Sequence, residues 1–177
     1  MRDQDSLECA VVEQVAGLMA AAARTAPKTR GVDNIKVLAL DDADSRGRVA
    51  AKMVELARRD GRPSLERDAK AVATSPAVLV IGVAANPAGL DGCGFCGQKT
   101  CEALQAAGGV CAFNSIDLGI AASSAAAAAS SCRVDNRIMF SIGKACLELK
   151  LFPVEVRQAL GIPLSVTGKS PFFDRTA

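Results

Sequence analysis

At 177 residues, half of them hydrophobic, the chain is long enough to bury a core without covalent staples, and one domain over residues 1–177 is the expectation. Its 21 basic and 19 acidic residues leave a net charge of +2 with no basic run, which excludes a general nucleic-acid footprint. Histidine, Trp and Tyr are absent, which removes imidazole bases, His-assisted triads, His-ligated metals and the stacking platforms that bind single strands.

The start, Met1-Arg2-Asp3-Gln4-Asp5, mixes charges and lacks a basic region followed by an apolar one, so a cytoplasmic protein is expected. Over residues 7–24 the apolar positions Leu7, Val11, Val12, Val15, Leu18 and Met19 recur at helical spacing. Pro27 and Gly31 break that helix, and residues 35–40 are apolar and partly β-branched, as a strand is. Helical spacing returns over 42–59 through Val49, Met53, Val54 and Leu56, and a shorter helix is expected over 65–73. Residues 76–84 form a continuous apolar run after Pro76, the pattern of a strand buried on both faces.

Beyond the loop that follows, a helix is expected over 98–107, ended by Gly108-Gly109, and an extended piece over 110–113. Asn114 is placed to cap a long Ala/Ser helix. The apolar run within it, 116–129, is shorter than the roughly 20 residues that span a bilayer, so no membrane role is expected. After Cys132 come a helical stretch, a short helix over 154–160, a strand over 164–167 and a polar ending, Phe172-Phe173-Asp174-Arg175. Helices and strands mix without strict alternation, which points to an α+β fold rather than a doubly wound one.

The chain has seven cysteines, and Cys93, Cys96, Cys101 and Cys111 follow the pattern C-x2-C-x4-C-x9-C. In a reducing compartment such clustering points to metal ligands or catalytic thiols rather than disulfides. Two thiols three positions apart can turn onto one metal or one cluster face, and Gly92, Gly94 and Gly97 supply the unusual backbone angles that this needs. Cys101 is expected in the first turn of a helix, where backbone N–H groups favour negative charge. Each thiol of pKa about 8.5 costs roughly 2 kcal/mol to deprotonate at pH 7, or about 8 for four. Structural metals bound by thiolates return on the order of 10–16 kcal/mol, so the set makes sense when it is filled. A [4Fe-4S] cluster on segment 91–111 is the leading reading. The alternatives are a Cys₄ zinc site, which usually pairs two short hooks, and a redox dithiol at Cys93 and Cys96. Cys9, Cys132 and Cys146 fall on helical stretches and are expected in the core, with Cys132 held open as the fourth ligand in place of Cys111.

Two phosphate-binding patterns fail on spacing. Gly92 to Gly97 fits G-x-G-x-x-G with Asp117 downstream, but the seven residues between Ala84 and Gly92 are too many for a tight dinucleotide turn. Thr167-Gly168-Lys169-Ser170 resembles the end of a P-loop, yet Pro163 stands where its first glycine belongs.

Several segments together resemble a prokaryotic family of unknown function whose members contain a ferredoxin domain. They are Ala23-Arg24-Thr25-Ala26-Pro27-Lys28 with Gly31-Val32-Asp33, the cysteine segment, Asp117-Leu118-Gly119-Ile120-Ala121, Val134-Asp135-Asn136-Arg137-Ile138, and Gly161-Ile162-Pro163-Leu164-Ser165 with Gly168-Lys169. The C-x2-C-G-x3-C start also looks like that of four-cysteine [4Fe-4S] modules in anaerobic redox proteins. The first helix with its Ala-Pro end, and the Leu-Gly-Ile-Pro element, are similar to the nitroreductase-like flavoprotein fold. That likeness implies a homodimer and an FMN site at its interface, with Arg24, Lys28 and Lys169 as phosphate partners. The Arg-Arg-Ser-x-Arg entry of many nitroreductases is missing, and Ser6-Leu7-Glu8 stands in its place.

The first expectation is therefore an electron-transfer protein with one [4Fe-4S] cluster on Cys93, Cys96, Cys101 and Cys111, serving an unknown redox partner. The second is an oxidoreductase that uses the cluster or FMN on a small molecule, with Asp117 or Asp135 as acid or anchor. The third is a zinc-stabilised scaffold without catalysis.

Overall fold

Two aspartates start the first two long helices. The structure, a computed structural model, describes residues 1–173. Asp3 accepts a hydrogen bond from the Ser6 N–H at 2.9 Å and begins α1 (Gln4–Thr25), and Asp42 does the same for Ser45 at 2.8 Å before α2 (Ala43–Arg59). Ala26 stops α1 because the residue before a proline is driven out of helical geometry. A short 3₁₀ turn, Thr29–Gly31, leads into β1 (Ile35–Leu40). Pro63 opens α3 (Pro63–Thr74), where its missing N–H costs nothing.

β2 (Ala77–Ala84) is the centre of the fold, with every residue buried. Among the described residues the sheet has the order β1-β2-β4-β3, with every pairing antiparallel; β4 is Val156–Ser165 and β3 the short Asp135–Asn136. Because strand side chains alternate, Ala77, Leu79, Ile81 and Val83 pack beneath α1 and α5 (Ala112–Ser131). Val78 and Val80 face the opposite layer of α2, α3 and α6 (Phe140–Glu148). The result is helices on both faces of an antiparallel sheet. Small residues set how closely α5 lies on α1: Ala121, Ala125 and Ala129 have no exposed surface.

Several expectations need correction. Residues 154–160 are not a helix but lead into and form the first part of β4, of which the strand expected at 164–167 is only the end. Val156, Ala159 and Leu160 mimic helical spacing, and Gly161 and Pro163 argue against a strand, but pairing with β2 outweighs both signals. Residues 110–113 are not an extended piece: α5 begins at Ala112, with Cys111 at its N-cap. Asn114 is thus inside the helix and buried, not its cap. The helix expected over 98–107 is shorter, α4 (Cys101–Ala106), capped by the Thr100 hydroxyl on the Ala103 N–H at 3.2 Å. Of the polar ending, Asp174 and Arg175 lie outside the described residues.

Candidate metal centre

The cysteine loop leaves the end of β2 and is pinned at its root. Ala84 donates its N–H to Asn34 at 2.9 Å, Ala85 donates to the Glu155 carbonyl at 2.8 Å, and the Asn86 carboxamide donates to that of Asn34 at 2.9 Å. The Arg30 guanidinium crosses from the 3₁₀ turn to the carbonyls of Ala88 and Gly89, at 2.9 and 3.2 Å. Asp117 locks that turn to α5, accepting from both the N–H and the hydroxyl of Thr29 at 3.0 and 2.9 Å. Asp117 is buried and used as a structural tie, so the acid role weighed for it has no support in its surroundings.

Between residues 85 and 100 there is no helix or strand. Gly94 and Gly97, at φ of 56° and 83°, hold backbone that a side chain would strain, and the Gly97 N–H closes a turn on the Gly94 carbonyl at 2.9 Å around Cys96. Within that turn the Phe95 N–H donates to Cys93 Sγ at 3.4 Å, the kind of contact that tunes cluster sulfurs. Cys93 is exposed, Cys96 and Cys101 are half-buried, and Cys111 is buried. Cys101 is the first residue of α4, as expected, but that helix has only six residues and contributes little dipole. Beside Cys101 the Glu102 carboxyl is held below the usual range by its own backbone N–H and the Thr100 hydroxyl.

The four thiols are strung along the loop rather than gathered. Among the described residues, no three Cys, Asp or Glu side chains form a metal-binding group. The donor chemistry fits a thiolate-bound metal or cluster, whereas a finished cage is not formed. Closing on a cluster would order the loop that carries Cys93 and Cys96 and bring α4 and the start of α5 toward it, a cost that metal–thiolate binding can exceed.

The remaining cysteines are elsewhere. Cys132 caps the far end of α5, and a 20-residue helix separates it from Cys111 by about 30 Å, so the fold carries it away from the loop. It is exposed, and so is Cys9, against the core positions expected for both. Cys146 is the buried one, and desolvation pushes its thiol up to about 12, which leaves it inert.

Two of the residues expected around an FMN phosphate already have partners within the chain. Arg24 pairs with Asp33 at 2.5 Å, and the Lys28 ammonium turns back onto the carbonyls of Arg24 and Ala26. Both sit where α1 ends, near the Ile35–Val83 pairing, whereas the chain runs toward Lys169 from Ser165, past the Leu164–Ala77 pairing at the other end of β2. Asp135 pairs with Ser165 at that same distant end. Sequence reasoning missed Arg30 as a loop anchor and the Phe95–Phe113 ring pair, 5.3 Å between centroids, because each depends on a contact across the fold.

A family model described as "uncharacterized protein containing a ferredoxin domain" (DUF2148) matches residues 107–175, a stretch that contains Cys111 but begins after Cys101. An uncharacterized protein of Archaeoglobus fulgidus is 39% identical over 172 residues, 93% of this chain and 91% of its own length. Among solved structures, a nitroreductase with bound FMN from Desulfitobacterium hafniense matches 99% of this chain and 85% of its own at TM-score 0.59 and 16% identity. A nitroreductase family protein from Clostridium novyi matches 94% of this chain and 76% of its own at TM-score 0.58 and 15% identity. Nitroreductase A from Vibrio parahaemolyticus matches 89% of this chain at TM-score 0.57 and 14% identity, and the chain spans 60% of that protein's length. At these identities the likeness is one of fold: the chain has an α+β fold resembling the nitroreductases.

Proposed function

Because this chain belongs to the family of uncharacterized proteins containing a ferredoxin domain, we propose that it is an iron–sulfur redox protein carrying one [4Fe-4S] cluster for electron transfer. Cys93, Cys96, Cys101 and Cys111 would hold the cluster, which supplies one-electron chemistry when bound. The observation that supports this reading is that Cys93 and Cys96 lie on a pinned, glycine-turned loop that runs into Cys101 at the start of α4 and Cys111 at the N-cap of α5, with the other three cysteines elsewhere. Exposure of Cys93 leaves that side of the loop open to a redox partner. Iron and sulfide analysis of protein purified without oxygen tests the reading, and zinc alone would replace it with the scaffold.

A flavin is the weaker reading. It is favoured by the fold's likeness to a nitroreductase with bound FMN, but Arg24 and Lys28 would have to give up the partners they have.

A homodimer is part of the proposal. Leu7, Val11 and Leu18 on α1 are 54%, 38% and 49% exposed, and Ile116 and Ile120 on α5 are 40% and 37% exposed. α1 is apolar enough to cross a membrane, but Val12, Val15, Ala16, Met19 and Ala23 are already spent on the core. We assign its remaining apolar stripe, with that of α5, to a second copy of the chain. Leu18→Glu should leave the fold intact and halve the sedimenting mass; an unchanged mass would remove this face from the interface.

A further inference from the structure

The first turn of α5 holds a polar group that the fold itself does not explain. Asn114 is 2% exposed, and its buried Oδ1 has no hydrogen-bond partner. An acceptor left so costs about 1–3 kcal/mol, and a protein rarely keeps one without a use. Asp117, three residues on, is also buried but is fully engaged by Thr29. Asn114 has no such partner, and the residue three positions before it is Cys111, the buried N-cap. Residues three apart lie on one side of a helix, so Asn114 stands on the same side of α5 as its N-cap Cys111, although no hydrogen bond joins the two side chains here.

We propose that Asn114 is the positioning residue for the fourth cluster ligand, its carboxamide donating a hydrogen bond to the Cys111 sulfur once that sulfur is a thiolate. The inference rests on the cluster reading above. A half-turn of the carboxamide exchanges Oδ1 for Nδ2 and supplies the donor. A donor on a ligand sulfur offsets the charge that the cluster gains on reduction and makes the reduced form easier to reach. Bound this way, Cys111 is held at the helix end while the three loop thiolates close over the cluster.

The test uses Asn114→Leu, which deletes the donor, and Asn114→Asp, which keeps the shape and offers only acceptors. Both should retain iron and sulfide. At a fixed reducing potential the ratio of reduced to oxidised cluster, followed by absorbance, should fall about tenfold in each, the effect expected of one hydrogen bond to a charged group. Metal-free Asn114→Leu should keep the urea midpoint of the parent chain, since an orphaned acceptor has been removed. An unchanged ratio in both loaded variants overturns the proposal, and a large fall in the metal-free midpoint beside an unchanged ratio shows the role to be structural. If the parent chain takes up no iron and sulfide, the cluster reading itself fails, an outcome distinct from an unchanged ratio in a loaded protein.

Discussion

Replacing Cys96 by alanine should strip the protein of its cluster, with iron and sulfide falling from about four of each per chain to background. Cys96 lies in the middle of the glycine turn, between the Gly94 carbonyl and the Gly97 N–H that bonds to it. Without it the other three thiols would still cost roughly 2 kcal/mol each to ionise at pH 7, with a ligand's share of the binding energy gone. The loop would stay open, and Cys93, already exposed, would become prone to oxidation. Cys132→Ala is the control: it removes an exposed thiol at the far end of α5 and should leave metal content unchanged. Full iron retention in Cys96→Ala, or its loss in Cys132→Ala, would contradict the ligand assignment.

The largest effect on stability should come from a site with no chemistry. A Cβ added at Gly143 would lie 1.8 Å from the Ala159 carbonyl oxygen and 2.2 Å from its carbon, so α6 rests directly on the backbone of β4. β4 cannot retreat, because Ala159 and Leu160 pair with Gly82 and Ile81 of the central strand. Nor can α6 tilt freely, since Gly161 would already meet Ile142 at 2.2 Å if it carried a Cβ. Gly143→Ala should therefore cost on the order of 3–5 kcal/mol in urea denaturation, at the severe end for a single substitution. Gly47→Ala in α2, with nothing within 4 Å of the added atom, should be neutral or stabilise by about 0.4–1 kcal/mol. A cost below about 1 kcal/mol at Gly143 would mean that the two elements are not in backbone contact.

The fold was legible where one pattern dominated. The apolar run at 35–40 became β1 at its expected bounds, and the run after Pro76 became the strand buried on both faces. It was illegible where tertiary pairing decided the outcome. Val156 to Leu160 carry helical spacing, and only their position beside β2 makes them a strand. Cys9 has apolar neighbours in sequence yet falls outside the core, because the buried stripe of α1 runs through Val12, Val15 and Met19. In the candidate site, the spacing of the four cysteines and the glycine turns could be read directly. The contacts that hold the loop, from Arg30 across 58 residues to Ala88 and from Thr29 to Asp117, could not. Asn114 shows the difference in one residue: its type signals a cap, whereas the fold buries it inside the helix.

The proposed cluster is tested by the absorption spectrum of anaerobically purified protein, with iron, sulfide, zinc and flavin determined on the same sample. The expected result is a broad band near roughly 400 nm that bleaches with dithionite, with about four irons and four sulfides per chain. A colourless protein with one zinc per chain, or one whose only chromophore is stoichiometric flavin, would contradict it.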